Sequence, residues 1–435
     1  MNRLIRHRGP DDEGFVCINT ENGEYKVCSG DDSIDSVKNK FNNISEQNLN
    51  NFDLILGTRR LSIIDLSENG HQPMADKDNK IWISYNGEIY NYIELRDELQ
   101  TYGFKFKTRS DTEVIINSYL QWGADCVNHF NGMWAFGLWD GYKQSLFLAR
   151  DRFGIKPLYF TLSQNYFAFS SEIKPLLLLK DKFEINQNLI PFFIIYGNRL
   201  NDEETYIKTV QSLKASHYLI YQNRNVITKR YYDIKKLNHS DKKEVQLEEE
   251  LNSLLYDSIK LRFRSDVPVG TCLSGGFDSS SIVSISSKVS NNTLNTFSAV
   301  WKDEQCDESK YIDIVNSRFS SVENKIEPKA HEFEKEFDSL CYYQEIPTEG
   351  PGLIPQWYVM KKAKEKVKVL LDGQGGDEVF GGYFLWQTYL RALLKDKKIK
   401  PILSELKLFS LLINKTEIHS LSSWLFPRFY NKIIR

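Results

Sequence analysis

Between residues 57 and about 232 the apolar positions fall in short runs, such as Lys80-Ile81-Trp82-Ile83-Ser84-Tyr85 and Gln144-Ser145-Leu146-Phe147-Leu148-Ala149, separated by Gly and Asn. Runs of this kind bounded by turn residues predict strands. The spacing turns helical over residues 92–102 and again over 111–122, where Ser110 or Asp111 stands at the N-cap. This part therefore reads as α+β with a strand-rich core. Residues 31–51, rich in Asn, Ser and Asp, are expected to form a solvated insertion between two strands.

Over residues 233–250 Lys, Asp and Glu dominate, which suggests a domain boundary near residue 235. Beyond it, strand-like runs at 267–273, 296–300 and 367–371 alternate with helical stretches, one starting at Ser279. That alternation predicts βαβ units, hence an α/β domain with a parallel sheet. Residues 385–435 read as helical and basic, with charges spaced as on a solvated helix face.

Composition narrows the function classes. The 435 residues leave room for two domains, and 56 Lys+Arg against 58 Asp+Glu give a net charge of -2. No global basic field is present for nucleic-acid binding. The charged start meets Gly9-Pro10 before any apolar segment, and no run of about 18 apolar residues occurs. Neither signal peptide nor membrane span is expected, and a cytoplasmic location follows as the default. Six cysteines without a CxxC pair fit reduced, mostly buried thiols.

Two segments carry phosphate chemistry. The run Val269-Gly270-Thr271-Cys272-Leu273 leads into Ser274-Gly275-Gly276-Phe277-Asp278-Ser279-Ser280 and then a helix. Such a turn aims backbone N–H groups and small hydroxyls at one point, at the positive end of the helix dipole. Asp278 beside phosphates suits a bridging Mg²⁺. A second strand, Val369-Leu370-Leu371, enters Asp372-Gly373-Gln374-Gly375-Gly376-Asp377-Glu378 and continues to Tyr383. In an open parallel sheet two such loops can converge on one nucleotide, with Asp278 and Asp377 sharing the metal. Neither a Walker loop nor GxGxxG is present, because Glu378 stands where the last glycine of the latter would be.

These residues resemble the SGGxDSS loop of ATP pyrophosphatases, and the second half is similar to the synthetase domain of glutamine-hydrolysing asparagine synthetases. The resemblance implies ATP and Mg²⁺ as cofactors. Ser274, Gly275, Gly276 and Ser279 would hold the pyrophosphate, Asp278 and Asp377 would ligate Mg²⁺, and Leu273 and Gly373 would contact the adenosine, with Asp372 in the ATP site. It also implies attack of the aspartate side chain on the α-phosphorus, then displacement of AMP from β-aspartyl-AMP by ammonia. Many family members carry Ser and Glu at the positions of Asp372 and Gln374, and that Glu is associated with forming the intermediate. The departure leaves room for an acceptor acid other than aspartate.

In the first half, Asn86-Gly87 taken alone signals a hairpin turn. At a strand end the same pair offers two donors to an oxyanion. The surrounding segments, Arg8-Gly9-Pro10-Asp11, Arg60-Leu61-Ser62-Ile63, Asn86 to Asn91, Ser110-Asp111-Thr112-Glu113, Asn131 to Phe136 and Ala149 to Tyr159, resemble the Ntn-type glutaminase domain of class II amidotransferases. By that resemblance Arg60 binds the glutamine carboxylate, Glu88 and Asp111 its amino group, and Asn86 with Gly87 forms the oxyanion hole. The family's nucleophile is an N-terminal Cys with its own amino group as base. Position 2 here is Asn2, and Cys17 and Cys28 are internal. The expected organisation is thus 1–235, a glutaminase-like domain without its first strand and nucleophile, and 236–435, a synthetase domain incomplete at its C-terminus. Expected partners are aspartate, ATP and glutamine or free ammonia, without nucleic acid or membrane; a homodimer is one assembly considered. The competing readings are an amide ligase for another acid, including a β-lactam-forming or peptide-amidating relative, and an inactive relic that keeps both folds. His71, an isolated histidine before Gln-Pro, reads as structural.

Overall fold

A computed structural model describes residues 1–179, 182–197, 203–234, 242–302, 307–347 and 352–380, with positions 382, 393 and 395. The basic stretch 385–435 lies outside them except for Leu393 and Lys395, as do Cys306, Gly381, Tyr383 and the boundary at 235–241.

The N-terminal strands are β1 (Asp12–Ile18), β2 (Tyr25–Ser29), β3 (Leu54–Arg60), β4 (Met74–Ala75), β5 (Ile81–Ile89), β6 (Gly132–Asp140), β7 (Ser145–Arg150), β8 (Tyr159–Leu162), β9 (Phe167–Ser170), β10 (Gln211–Ser212), β11 (His217–Gln222) and β12 (Asn225–Arg230). They form a six-stranded sheet in the order β12-β11-β7-β6-β5-β4 and two three-stranded sheets, β2-β1-β3 and β10-β8-β9. Alternation along β5 sets the layers. Ile81, Ile83 and Tyr85 pack with Leu95, Leu99, Val114 and Ile115 of the helices Tyr92–Thr101 and Asp111–Trp122. Trp82 faces the opposite side, against Val16, Leu56 and Leu148. Side chains of this size each contribute about 1.5–3 kcal/mol when fully buried. Ser110 is the N-cap, its Oγ accepting from the Thr112 N–H at 3.1 Å.

The insertion between β2 and β3 is tied down more firmly than its composition implies. Val37 and Ser33 are buried. The carboxylates of Asp12 and Glu13 on β1 accept from the N–H groups of Ile34 and Asp32 at 3.1 and 2.9 Å.

The second domain carries β13 (Val269–Cys272), β14 (Asn295–Ala299), β15 (Val322–Ile326) and β16 (Val369–Leu371), all parallel, in the order β15-β14-β13-β16. Helices Phe277–Val289 and Ser309–Phe319 contribute Val283 and Ile312 to a cluster with Leu273 and Leu294. Helix Leu353–Ala363 packs Val359 and Ala363 against Cys272 and Phe297 on the other face. The chain steps outward from β13 to β15 and then returns to lay β16 on the far side of β13. The order reverses between β13 and β16, the place where open α/β sheets bind ligands at their carboxyl ends.

One group of contacts between the domains lies at the amino ends of those two strands. The Asp65 N–H donates to Asp266 Oδ2 at 2.8 Å, and the Asp266 N–H to the Ile63 carbonyl at 3.0 Å. Arg264 donates to the Tyr90 carbonyl at 2.7 Å and pairs with Glu94, while Lys368 Nζ lies 2.7 Å from Asp11 Oδ2. Among the described residues no helix is long and apolar enough to cross a membrane. Of the described cysteines, Cys17, Cys28, Cys126 and Cys272 are buried free thiols and Cys341 is exposed.

Candidate functional site

A cleft of about 1090 Å³ opens in the first domain, with Arg60, Gln72, Asn86, Gly87, Glu88 and Lys156 among its walls. Asn86 and Gly87 are not in a turn: they pair with Ala135 and Trp134 inside the β5–β6 ladder. Gly87 has φ +156, and a Cβ there would lie 2.3 Å from the Met133 carbonyl oxygen, so the two strands require glycine.

The buried Arg60 guanidinium is aimed by backbone carbonyls. It donates to those of Ser67 and Ile64 at 3.2 Å each and to that of Asp65. Burial lowers its pKa, opposed by Asp12, Asp65, Asp111 and Asp11. Glu88, also buried, has its carboxyl pushed up to about 7 by burial first and by the charge of Asp111 second. Asp111 sits one layer behind the cleft wall. Its Oδ2 accepts from the Tyr85 hydroxyl at 2.8 Å and the Ile89 N–H at 3.0 Å. Burial raises its pKa, while those donors and its helix N-terminus oppose the rise.

The cleft has walls that the motif assignments did not single out. Gln72 takes the Tyr85 N–H at 2.9 Å and gives a hydrogen bond to Thr112 Oγ1 at 3.2 Å. Lys156 faces Glu88, and burial lowers its pKa. Lys156 stands inside the segment Ala149 to Tyr159 and Gln72 directly follows His71, which were the only signals. His71 is structural as expected: its Nδ1 lies 2.7 Å from Asp12 Oδ2, and its ring packs over Gly14. Cys17 and Cys28 lie on neighbouring strands, and burial pushes the Cys17 thiol up to about 12. Such a thiol stays protonated near neutral pH.

The two glycine-rich loops of the second domain touch. A Cβ on Gly373 would lie 3.3 Å from the Ser279 nitrogen, and one on Gly376 only 2.5 Å from Asp278 Oδ2. Asp278 thus packs against the residue preceding Asp377, and the two carboxylates come from facing loops. Gly275 has φ +88, and Gly276 caps helix Phe277–Val289. Ser274 and Ser279 hydroxyls lie 3.0 Å apart, and Ser274 Oγ accepts from the Gly276 N–H at 3.3 Å. The Leu273 side chain is buried in the core, leaving only its backbone to face the loop. Asp372 Oδ2 accepts from Gln356 Nε2 at 2.8 Å, a partner on helix Leu353–Ala363 that no sequence motif marks. Its Oδ1 takes the Gln374 N–H at 3.2 Å.

Among the described residues no three or more His, Cys, Asp or Glu side chains gather as a metal cage. Mg²⁺ is commonly held by one or two carboxylates together with phosphate oxygens and water, and Asp278 and Asp377 are carboxylates of that kind, carried by the two glycine-rich loops.

Known proteins place this geometry in context. Residues 43–232 match the family described as "Glutamine amidotransferase domain", and 250–428 the family "Asparagine synthase". The chain is 38% identical over 419 residues to the "Putative asparagine synthetase (glutamine-hydrolyzing) 2" of Methanocaldococcus jannaschii, covering 91% of this chain and 73% of that one. It is 34% identical over 402 residues to asparagine synthetase (glutamine-hydrolyzing) 1 of Bacillus subtilis, covering 90% and 56%. It is 31% identical over 403 residues to amidase chyE of Penicillium rubens, covering 87% and 54%. The chain therefore spans about three-quarters of the first relative and a little over half of the other two. An amidotransferase-type strand domain joined to a parallel-sheet synthase domain, with identity spread over nine-tenths of the sequence, makes this chain a member of the glutamine-hydrolysing asparagine synthetase family.

Proposed function

We propose that this protein is an ATP-dependent amide ligase that converts aspartate to asparagine, with nitrogen from free ammonia, or from glutamine where the N-terminal cysteine nucleophile is present. The observation that carries the reading is the contact of the Ser274–Ser280 and Asp372–Glu378 loops at the strand-order reversal, which sets Asp278 against Gly376. Gly275, Gly276, Ser274 and Ser279 would cradle the pyrophosphate with N–H and O–H donors at a helix N-terminus. Asp278 and Asp377 would hold Mg²⁺, which supplies charge neutralisation on the phosphates when bound.

The side-chain carboxylate attacks the α-phosphorus and pyrophosphate leaves. Ammonia then attacks the acyl carbon, AMP leaves with the carboxylate oxygen, and the nitrogen sheds a proton. In the first cleft Arg60 would take the glutamine α-carboxylate and Glu88 its ammonium group. Asp111 would add a second negative charge from behind Tyr85, and Asn86 with Gly87 would face the amide oxygen. Asp372 and Gln374 favour a second reading, in which the acceptor is a different carboxylic acid.

The test is a turnover assay with MgATP, aspartate and ammonium, with glutamine as a separate donor for comparison. AMP and pyrophosphate should appear in equal amounts with asparagine, and ¹⁸O from the aspartate side chain should be found in AMP. Formation of ADP, or no nucleotide cleavage with any acid of a carboxylate panel, would sink the ligase reading. Cleavage with another acid alone would select the second.

A further inference from the structure

We propose that Asp266, contributed by the ATP domain, is a positioning residue of the glutamine pocket in the other domain. The inference rests on reading the first cleft as a glutamine site in which Arg60 takes the carboxylate. Arg60 owes its aim to the carbonyls of Ile64, Asp65 and Ser67. That loop has little regular structure of its own, and Asp65 sits at φ +55, a left-handed conformation unfavourable for a residue with a Cβ.

Three contacts hold it there. Asp65 Oδ1 accepts from the Ser67 hydroxyl at 2.5 Å, and Asp65 Oδ2 from the Arg109 N–H at 3.0 Å, two residues before Asp111. The third comes from the other domain: Asp266 Oδ2 takes the Asp65 N–H at 2.8 Å, and the Asp266 N–H closes the clasp on Ile63 at 3.0 Å. Asp65 is thus tied to Arg60 through its carbonyl and, through its carboxylate, to the segment that leads into the Asp111 helix. Asp266 stands three residues ahead of β13, whose far end opens into the Ser274–Ser280 loop. Between the clasp and the phosphate loop lies β13, a four-residue strand roughly 13 Å long, with Val267 and Pro268 before it and Leu273 after it.

A part-buried N–H that donates to a carboxylate contributes up to about a factor of ten in an equilibrium it controls. Isothermal titration of the full chain with L-glutamine, and separately with MgATP, tests the role. Asp266→Ala should weaken glutamine about 10-fold and leave MgATP within about two-fold. Asp266→Asn, whose amide oxygen still accepts from Asp65, should restore most of the glutamine affinity. Wild-type glutamine affinity in Asp266→Ala, or equal losses in both variants, would overturn the proposal. Arg60→Ala is the control for the underlying reading: if it binds glutamine normally, the pocket assignment fails. Loss in Arg60→Ala without loss in Asp266→Ala leaves the pocket and removes only Asp266's role. Should the Ala variant not fold, hydrogen exchange on the unsubstituted chain decides. L-glutamine should slow exchange in residues 262–267 as well as 63–67, and no change in 262–267 would refute the clasp.

Discussion

Glu88 places a buried carboxyl in the wall of the first cleft, which the fold must tolerate. Its carboxyl, ordinarily near 4.5, is pushed up to about 7 by burial and then by Asp111. Between those values the unfolded chain releases the proton and the folded chain keeps it, so stability falls as pH rises through that window. The full difference is about 3 kcal/mol. Glu88→Gln should therefore raise the unfolding free energy by up to about 3 kcal/mol at pH 8, with the gain shrinking towards zero below about pH 4.5. Urea melts of both proteins at several pH values measure this, and a gain independent of pH would contradict the assignment of the buried charge. The same substitution should weaken L-glutamine binding above pH 7, where an ionised Glu88 would pair with the ammonium group. What destabilises the cleft is then what a ligand's ammonium group relieves.

At the scale of elements, the two glycine-rich loops stand or fall as a pair. Gly376→Ala would place a Cβ 2.5 Å from Asp278 Oδ2 and force that carboxylate away, whereas a Cβ on Gly352 would meet nothing within 4 Å. MgATP affinity should drop at least about 10-fold in Gly376→Ala and hold in Gly352→Ala, with circular dichroism unchanged in both. Equal affinities in the two variants would separate Asp278 from the site. The β13-loop-helix unit was legible in the sequence because its signals are local: an apolar run, two glycines, small hydroxyls and a helical repeat. The helices Tyr92–Thr101 and Asp111–Trp122 were legible for the same reason. Asn86-Gly87 carries a strong local turn preference, yet pairing of β5 with β6 along nine residues overrides it. Nor could composition reveal that Asp12 and Glu13 anchor the polar insertion. Gln356 against Asp372 and Asp65 against Asp266 were invisible, since a single hydrogen bond between distant residues leaves no periodicity.

On the scale of the whole molecule, a buried ionic cluster joins the domains at a second place. Glu345, in a left-handed conformation at the end of helix Ala330–Gln344, accepts from the N–H groups of Ile173 and Lys174 at 2.8 and 2.7 Å. Lys174 Nζ lies 3.0 Å from Glu345 and 2.9 Å from Glu172, which also meets Arg8 and, at 2.6 Å, His7. Burial works against the charge on Glu172, but Arg8, Lys174 and His7 together hold its carboxyl below the usual range. The Glu345 and Glu172 side chains are only 8% and 1% exposed, so removing Glu345 leaves the Ile173 and Lys174 N–H groups without that acceptor and Lys174 with one carboxylate in place of two. Glu345→Ala should then cost about 3 kcal/mol, more than a surface pair would. The cost falls on the junction, because the core clusters of each domain are left untouched. Calorimetry should accordingly resolve the variant into two transitions where the native chain, clasped at both Glu345 and Asp266, unfolds in one. A single transition shifted as a whole would mean that Glu345 stabilises its own domain and does not couple the two. Two transitions in the unsubstituted chain would mean that neither contact is strong enough to make the domains unfold together.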